Sequence, residues 1–326
     1  MRHRTLGVAV TALALLTVGA IQAPPRTPGD TQPGRTWTDD QLKQFAGRVR
    51  AGRKLTPRSW PNGARVAVAL TFTLNNTANN LARGDTAVVQ LTGGEFGAVT
   101  GLPRVLDVLE RHTVAATFFI PATAAIVDPQ MIPEIVKHKH EIGVLGWSDE
   151  NPLAMDNAAE EERLLSRATA YLTKAVGKPP AGARGPSSLQ SLHTMSLIKK
   201  MGLLYDSTLM AMDEPYEVLI DGRPSGIVEL PVSRILDDQS MLTAARFGPS
   251  TLPSPELVFE SLKDDFDAAY EEGTFYLLTL HPHLIGMRSR IGYLDDLIAH
   301  IKSKPNVWIA TAEEIARYVK RESGMR

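Results

Sequence analysis

Val66-Ala-Val-Ala-Leu-Thr-Phe72 carries no charge and a single polar side chain. A run that is apolar at consecutive rather than alternate positions describes a strand covered on both faces. The same type returns at Val114 to Ile120, Phe275 to Leu280 and Val307 to Ile309. Shorter pieces fit at Glu141 to Leu145, Ala181 to Arg184, Leu203 to Asp206 and Ile227 to Leu230. Helical patterns lie between them. Leu102, Val105, Leu106 and Leu109 have i, i+3, i+4, i+7 spacing and so share one helix face. Further helices read at Pro129 to Lys139, Asn157 to Val176, Ser188 to Met201, Pro255 to Glu272, Ile291 to Ser303 and Ala312 to Arg321. Gly177 and Gly202 stop two of them. Strands covered on both faces and separated by helices mean βαβ units on a parallel sheet. About seven such units over roughly 260 residues predict one barrel-like α/β domain. Asn75 to Val99 reads as the one long Gly- and Asn-rich interruption.

Composition narrows the chemistry. Lys and Arg number 35 against 36 Asp and Glu, a formal net charge of −1. That balance argues against a general nucleic-acid binder, whose phosphate contacts need a basic excess. A hydrophobic share of 43% and a mean hydropathy of −0.10 exclude a polytopic membrane protein. The chain has no cysteine. Disulfides, thiol nucleophiles, Cys-ligated zinc, iron–sulfur clusters and lipoprotein anchoring are thereby excluded. Chemistry falls to His, carboxylates, hydroxyls and Arg.

Arg2, His3 and Arg4 precede an apolar stretch from Leu6 to about Ala20 that ends in small residues. This order predicts a secretory signal peptide over residues 1–23. Its alternative is an uncleaved anchor, since Leu6 to Ala23 is at the lower margin for spanning. Cleavage implies an exported protein, periplasmic or extracellular, with no stable membrane insertion. Residues 24–59 read as a Pro/Gly-rich lead with a short helix, opened by the capping box Thr38-Asp39-Asp40-Gln41 and running to about Arg50. Arg48, Arg50, Arg53, Lys54 and Arg58 form either a solvated linker face or a contact for an anionic polymer. The barrel domain is expected over residues 60–322.

In barrels, chemistry sits on loops at the carboxyl ends of strands. The rule nominates Thr73 to Asn76, Pro121 to Thr123, Gly146 to Pro152, Arg184 to Ser188 and His281 to Gly286. Motifs at these places run in a recognisable order. Trp60-Pro-Asn-Gly-Ala-Arg-Val-Ala-Val-Ala-Leu-Thr-Phe72 is followed by Ala116-Thr-Phe-Phe-Ile-Pro121, His140-Glu-Ile-Gly143, Gly146-Trp147 and Glu150-Asn-Pro152. Then come Gly182-Ala-Arg-Gly-Pro186, Tyr205-Asp-Ser-Thr-Leu-Met210, Glu229-Leu-Pro231, Leu236-Asp-Asp238, Thr279-Leu-His-Pro282 and Thr311-Ala-Glu-Glu-Ile-Ala316. The series resembles the polysaccharide deacetylases, the NodB-homology group, over roughly Trp60 to Val319. The Tyr205 to Met210 phrase and the turn from His281 to Gly286 are most similar to the branch of allantoinase-like and cyclic-imide hydrolases, beside some peptidoglycan deacetylases. The resemblance implies a distorted (β/α) barrel of about seven parallel strands.

At the site the chain departs from the family pattern. Metal-using members carry an Asp base and an Asp ligand after the first strand, where this chain has Thr73-Leu74-Asn75. Their second motif supplies two His ligands where this chain has Leu145 and Asp149. Leu cannot ligate and Asn is a weak neutral ligand, so the family metal site is expected to be lost at Thr73, Asn75, Leu145 and Asp149, with no cofactor. Zinc relocated to His281, His283 and Asp149 is the lesser alternative.

The resemblance implies that His281 protonates a leaving amine and that Arg184 occupies the place of an orienting arginine. With the catalytic Asp replaced, Asp149, Asp237 or Asp238 is left to partner Arg184. The expected catalytic residues are His281, Arg184 and Asp149, and the expected substrate contacts are Thr73, Asn75, Glu95, Trp147 and His283. Glu95 lines the pocket or sits on a surface turn. Trp147 and Tyr216 stack on sugar or belong to the core. Ser187 and Ser188 lack the frame of a nucleophile elbow. Two functions follow. One is a carbon–nitrogen hydrolase of non-peptide amides, acting on an N-acetylated glycan or a small linear or cyclic amide without the family metal. The other is a non-catalytic descendant that binds glycan or another ligand in the old groove.

Overall fold

The computed structural model describes residues 33–155, 157–243 and 254–325. The proposed signal segment, residues 1–23, lies outside the described residues. Of the described residues, those up to Phe45 belong to one compact unit and those from Ala46 onward to a second. In the first, Thr38 and Gln41 exchange the two hydrogen bonds of a capping box as helix Asp39–Gly47 begins.

The second unit is built on ten strands: β1 (Val49–Lys54), β2 (Val66–Thr73), β3 (Thr117–Ile120), β4 (Glu141–Val144), β5 (Gly182–Ala183), β6 (Tyr205–Asp206), β7 (Tyr216–Ile220), β8 (Arg223–Glu229), β9 (Phe275–Leu280) and β10 (Val307–Ile309). Every residue of β2 is buried, as its unbroken apolar run requires. β2 pairs in parallel with β9 along Ala67 to Phe72. It meets β10 through its first residues and β3 through its last. From β3 the sheet continues in parallel through β4, β5 and β6 to β8. On the far side of β9 a single bridge, Asp237 to Thr279, stands in for a strand. The result is a distorted (β/α) barrel, with helices such as Leu102–His112 and Ile291–Ser303 packing apolar faces on it.

Three expectations need correction. The basic stretch read as a solvated linker contains strand β1, paired antiparallel with β7, so the sheet starts before Trp60. The hairpin of β7 and β8 was not anticipated either. Its signal was present: Asp221-Gly222, both at positive φ, is the two-residue turn that suits a twisted hairpin. Asn75 to Val99 is not an open interruption. It folds as helices Ala78–Ala82 and Val88–Phe96, followed by a π-type turn at Gly97–Gly101. That turn abuts the loop after β9, where a Cβ on Gly101 would stand 2.1 Å from the carbonyl oxygen of Pro282. Close backbone approach at Gly101 thus fixes the position of His281 and His283 relative to the Asn75 loop.

Candidate active site

The carboxyl ends of β2, β4, β5 and β9 open onto a cleft of about 610 Å³ whose lining includes Thr73, Asn75, Leu145, Asp149, Arg184 and His281. Four of the five nominated loops reach it. Pro121 to Thr123 does not.

His281 follows β9 and is buried. Its Nδ1 lies 2.7 Å from Oδ1 of Asp238, while its backbone N–H donates to Oδ2 of the same carboxylate at 3.1 Å. Asp238 is fully buried, held in place by the bridge that seats Asp237 beside Thr279. Burial opposes a charge on the imidazole, but the hydrogen bond and charge of Asp238, with Asp237 behind it, raise the His281 pKa above 6.5. With Nδ1 engaged, Nε2 is the nitrogen left for a ligand in the cleft. His283 is half-buried at the cleft wall. Burial and neighbouring His281 pull it down to about 4, so it is neutral at pH 7.

Arg184 is buried and has no carboxylate in hydrogen-bond contact, contrary to the expected pairing with Asp149, Asp237 or Asp238. Its donors go to neutral oxygens: the Ser207 carbonyl at 2.9 Å, Ser207 Oγ at 3.1 Å, Thr71 Oγ1 at 3.0 Å and Thr73 Oγ1 at 3.4 Å. The guanidinium also covers the ring of Phe119 at 4.2 Å. Burial brings its pKa down to about 10, against the charges of Asp237, Tyr205, Asp206 and Glu229. Asp206 and Glu229, at adjacent strand ends, are themselves buried. Burial raises Asp206 to about 6 and Glu229 well above the carboxylate range.

Asp149 is buried and is the hub of the opposite wall. Oδ2 accepts from Nδ2 of Asn75 at 3.1 Å and of Asn79 at 3.2 Å, and Oδ1 from the Ser187 N–H at 2.6 Å. A carboxylate offers about four acceptor positions, so one remains toward the cleft. Around it the backbone is contorted. Asn76, Asp149, Ser187 and Ser188 all have φ between 45° and 56°, and all four line the cleft. Each non-glycine residue in this region costs about 1–3 kcal/mol unless its surroundings hold it, and such strain gathers at ligand sites. Ser187, dismissed as a nucleophile, is therefore a structural donor to Asp149. Neither it nor Asn79 was singled out as a site residue, because only the fold brings them to Asp149.

The positions of the family metal ligands now present one carboxylate already bound to three N–H donors, one amide, one hydroxyl facing a guanidinium, and a buried leucine. This set does not fit a divalent cation, which needs several anionic or imidazole ligands. Nor do His283 and Asp149 gather with His281. Among the described residues, the group with ligand atoms close together is Asp237, Asp238 and His281, and there Nδ1 already serves the hydrogen bond to Asp238.

Two expected contacts lie elsewhere. Glu95 is on the exposed side of helix Val88–Phe96, outside the cleft lining, because the helix turns Gly93 and Gly94 inward instead. Trp147 is outside the lining too, its ring covered by Arg167 at 3.6 Å. Tyr216 belongs to the core, 1% exposed. Thr73, Asn75 and His283 do line the cleft.

A profile of the polysaccharide deacetylase family matches residues 88–205. A solved structure from Mycobacterium smegmatis, named for the same family, is 32% identical with a TM-score of 0.76, over 84% of this chain and 96% of that one. The chain belongs to the polysaccharide deacetylase family. It is also similar to a peptidoglycan deacetylase of Helicobacter pylori, 28% identical over 72% of this chain and 88% of the relative. An allantoinase structure is 26% identical with a TM-score of 0.72, over 80% of this chain and 92% of that one.

Proposed function

We propose that this family member hydrolyses a non-peptide carbon–nitrogen bond, in an N-acetylated glycan or a small amide, without a divalent metal at the family position. The observation that carries this reading is the buried His281–Asp238 pair, whose Nε2 is left for the leaving nitrogen. Water adds to the amide carbon, the C–N bond breaks, and the products are a carboxylic acid and an amine. The free acceptor position of Asp149 aligns the water. Arg184, with the Thr73 hydroxyl and an Asn75 N–H, faces the oxygen on which negative charge develops. Asp238 keeps the His281 ring in one orientation and favours its protonated form, which delivers a proton to the departing nitrogen. A metal would supply Lewis acidity and an acidified water. Placed donors replace part of this, roughly 2.7–4 kcal/mol per oxyanion donor.

Protein dialysed against chelator is expected to release acetate from an N-acetylated oligosaccharide at the rate of untreated protein, within about twofold. The His281→Ala variant is expected to release about a hundredfold less. Equal rates for the chelated protein and the variant sink the mechanism.

A second reading, binding without turnover, is favoured by Leu145, a buried apolar side chain where the family pattern has a ligand. It predicts saturable glycan binding with no acid released by either protein. Among the described residues no helix is long and apolar enough to cross a membrane. The basic, then apolar, then small-residue order of residues 1–23 supports export, and the N-terminal sequence of the native protein tests it.

A further inference from the structure

The charged groups on the floor of the cleft are held by hydrogen-bond partners, and the one at its mouth is not. Asp149 is engaged by Asn75, Asn79 and Ser187. Asp237 accepts from the N–H groups of Gln239 and Ser240, and Asp238 holds His281. Arg184 is buried among neutral oxygens. The remaining charged side chain of the lining is Arg83, which is exposed, and among the described residues no carboxylate lies within ion-pair distance of it.

Its place follows from local structure. Arg83 ends helix Ala78–Ala82, and its N–H donates to the Asn79 carbonyl at 3.3 Å. The two residues therefore stand one above the other on the same helix face, about 6 Å apart along the axis. Asn79 reaches inward to Asp149, so Arg83 stands one turn further out, at the rim. Asn76 and Asn80 line the same side of the cleft and bring amide groups but no charge.

We propose that Arg83 selects substrates bearing a carboxylate. The substrate class is then an N-acyl compound whose anionic group lies away from the scissile amide. This rests on the hydrolase reading for the fate of the amide, but not for recognition. A guanidinium fork meets a carboxylate through two parallel hydrogen bonds, and the nearest acid in sequence, Asp85, is bonded to Asn80 and the Ala87 N–H instead of to Arg83.

Two probe pairs differing by one charge test this by calorimetry. N-acetylmuramic acid against its methyl ester represents an acidic sugar, and N-acetylglycine against N-acetylglycinamide a small acyl amino acid. The acid of one pair is expected to bind about five- to tenfold more tightly than its neutral twin, and the pair that shows it identifies the source of the carboxylate. Arg83→Gln, an exposed change checked by an unaltered Tm, is expected to bring that ratio to about one, while His281→Ala keeps it. A ratio of one in both pairs for the native protein overturns the proposal, as does a ratio that survives in Arg83→Gln. Acid release is followed separately. Its absence with the ratio intact overturns the hydrolase reading and leaves Arg83 as the carboxylate contact.

Discussion

The two walls of the cleft are built from the same kind of parallel strand end and have opposite chemistry. On the wall of β9, a fully buried carboxylate charges and orients His281. On the wall of β2 and β4, Asp149 is tied into a web of amides and backbone N–H groups next to an apolar Leu145. One wall is equipped to move a proton. The other is equipped to hold a shape, and its strained residues Ser187 and Ser188 are kept in place by that web. Under the proposed reading, the first wall moves the proton while the second serves as a scaffold. The two halves rest on different strands and do not share a ligand.

The largest expected effect breaks the first wall. Asp238→Asn removes the charge that offsets burial at His281, and amide hydrolysis is expected to fall about a hundredfold. The sign of the accompanying pH effect is fixed. A raised His pKa keeps the acid form, and the activity that needs it, present below 6.5 and lost as pH rises through the folded value. In Asp238→Asn burial is opposed only by the more distant charge of Asp237, so the falling limb of the pH–rate profile is expected to move to lower pH. A limb that stays in place disproves the assignment of the dyad.

A smaller effect tests the second wall. Asn75→Ala with Asn79→Ala removes two of the three donors to buried Asp149. Urea unfolding is expected to show a loss of about 1–3 kcal/mol, because a hydrogen-bonded charge is left partly unsatisfied. An unchanged midpoint rejects the web as a structural element.

The smallest effect sharpens the contrast from beneath Arg184. Asp206 and Glu229 have raised pKa values, so their contribution to stability is fully present below pH 4 and declines as pH rises past it. Glu229→Gln keeps the carbonyl acceptor for the Thr208 and Leu209 N–H groups without a titrating proton. The dependence of Tm on pH between 5 and 8 is expected to flatten, and a steeper dependence contradicts the raised pKa of Glu229.

What local signals carry was legible. The run Val66 to Phe72 announced a strand covered on both faces, and Thr311 with Glu314 forms a capping box where a helix was expected. Gly177 ends its helix at positive φ. The same local reasoning left Glu95 open between pocket and surface, since the direction of a side chain on a short helix depends on which face packs.

The chain by itself determined the parallel strands and the helix ends, because hydrophobic period and capping are properties of neighbours in sequence. Only tertiary structure decided which acid serves His281, that Arg184 meets hydroxyls and carbonyls instead of a carboxylate, and that Ser187 and Asn79 hold Asp149. Each of those contacts joins residues from separate strand ends, and its partner is selected by the closing of the barrel, not by spacing along the chain.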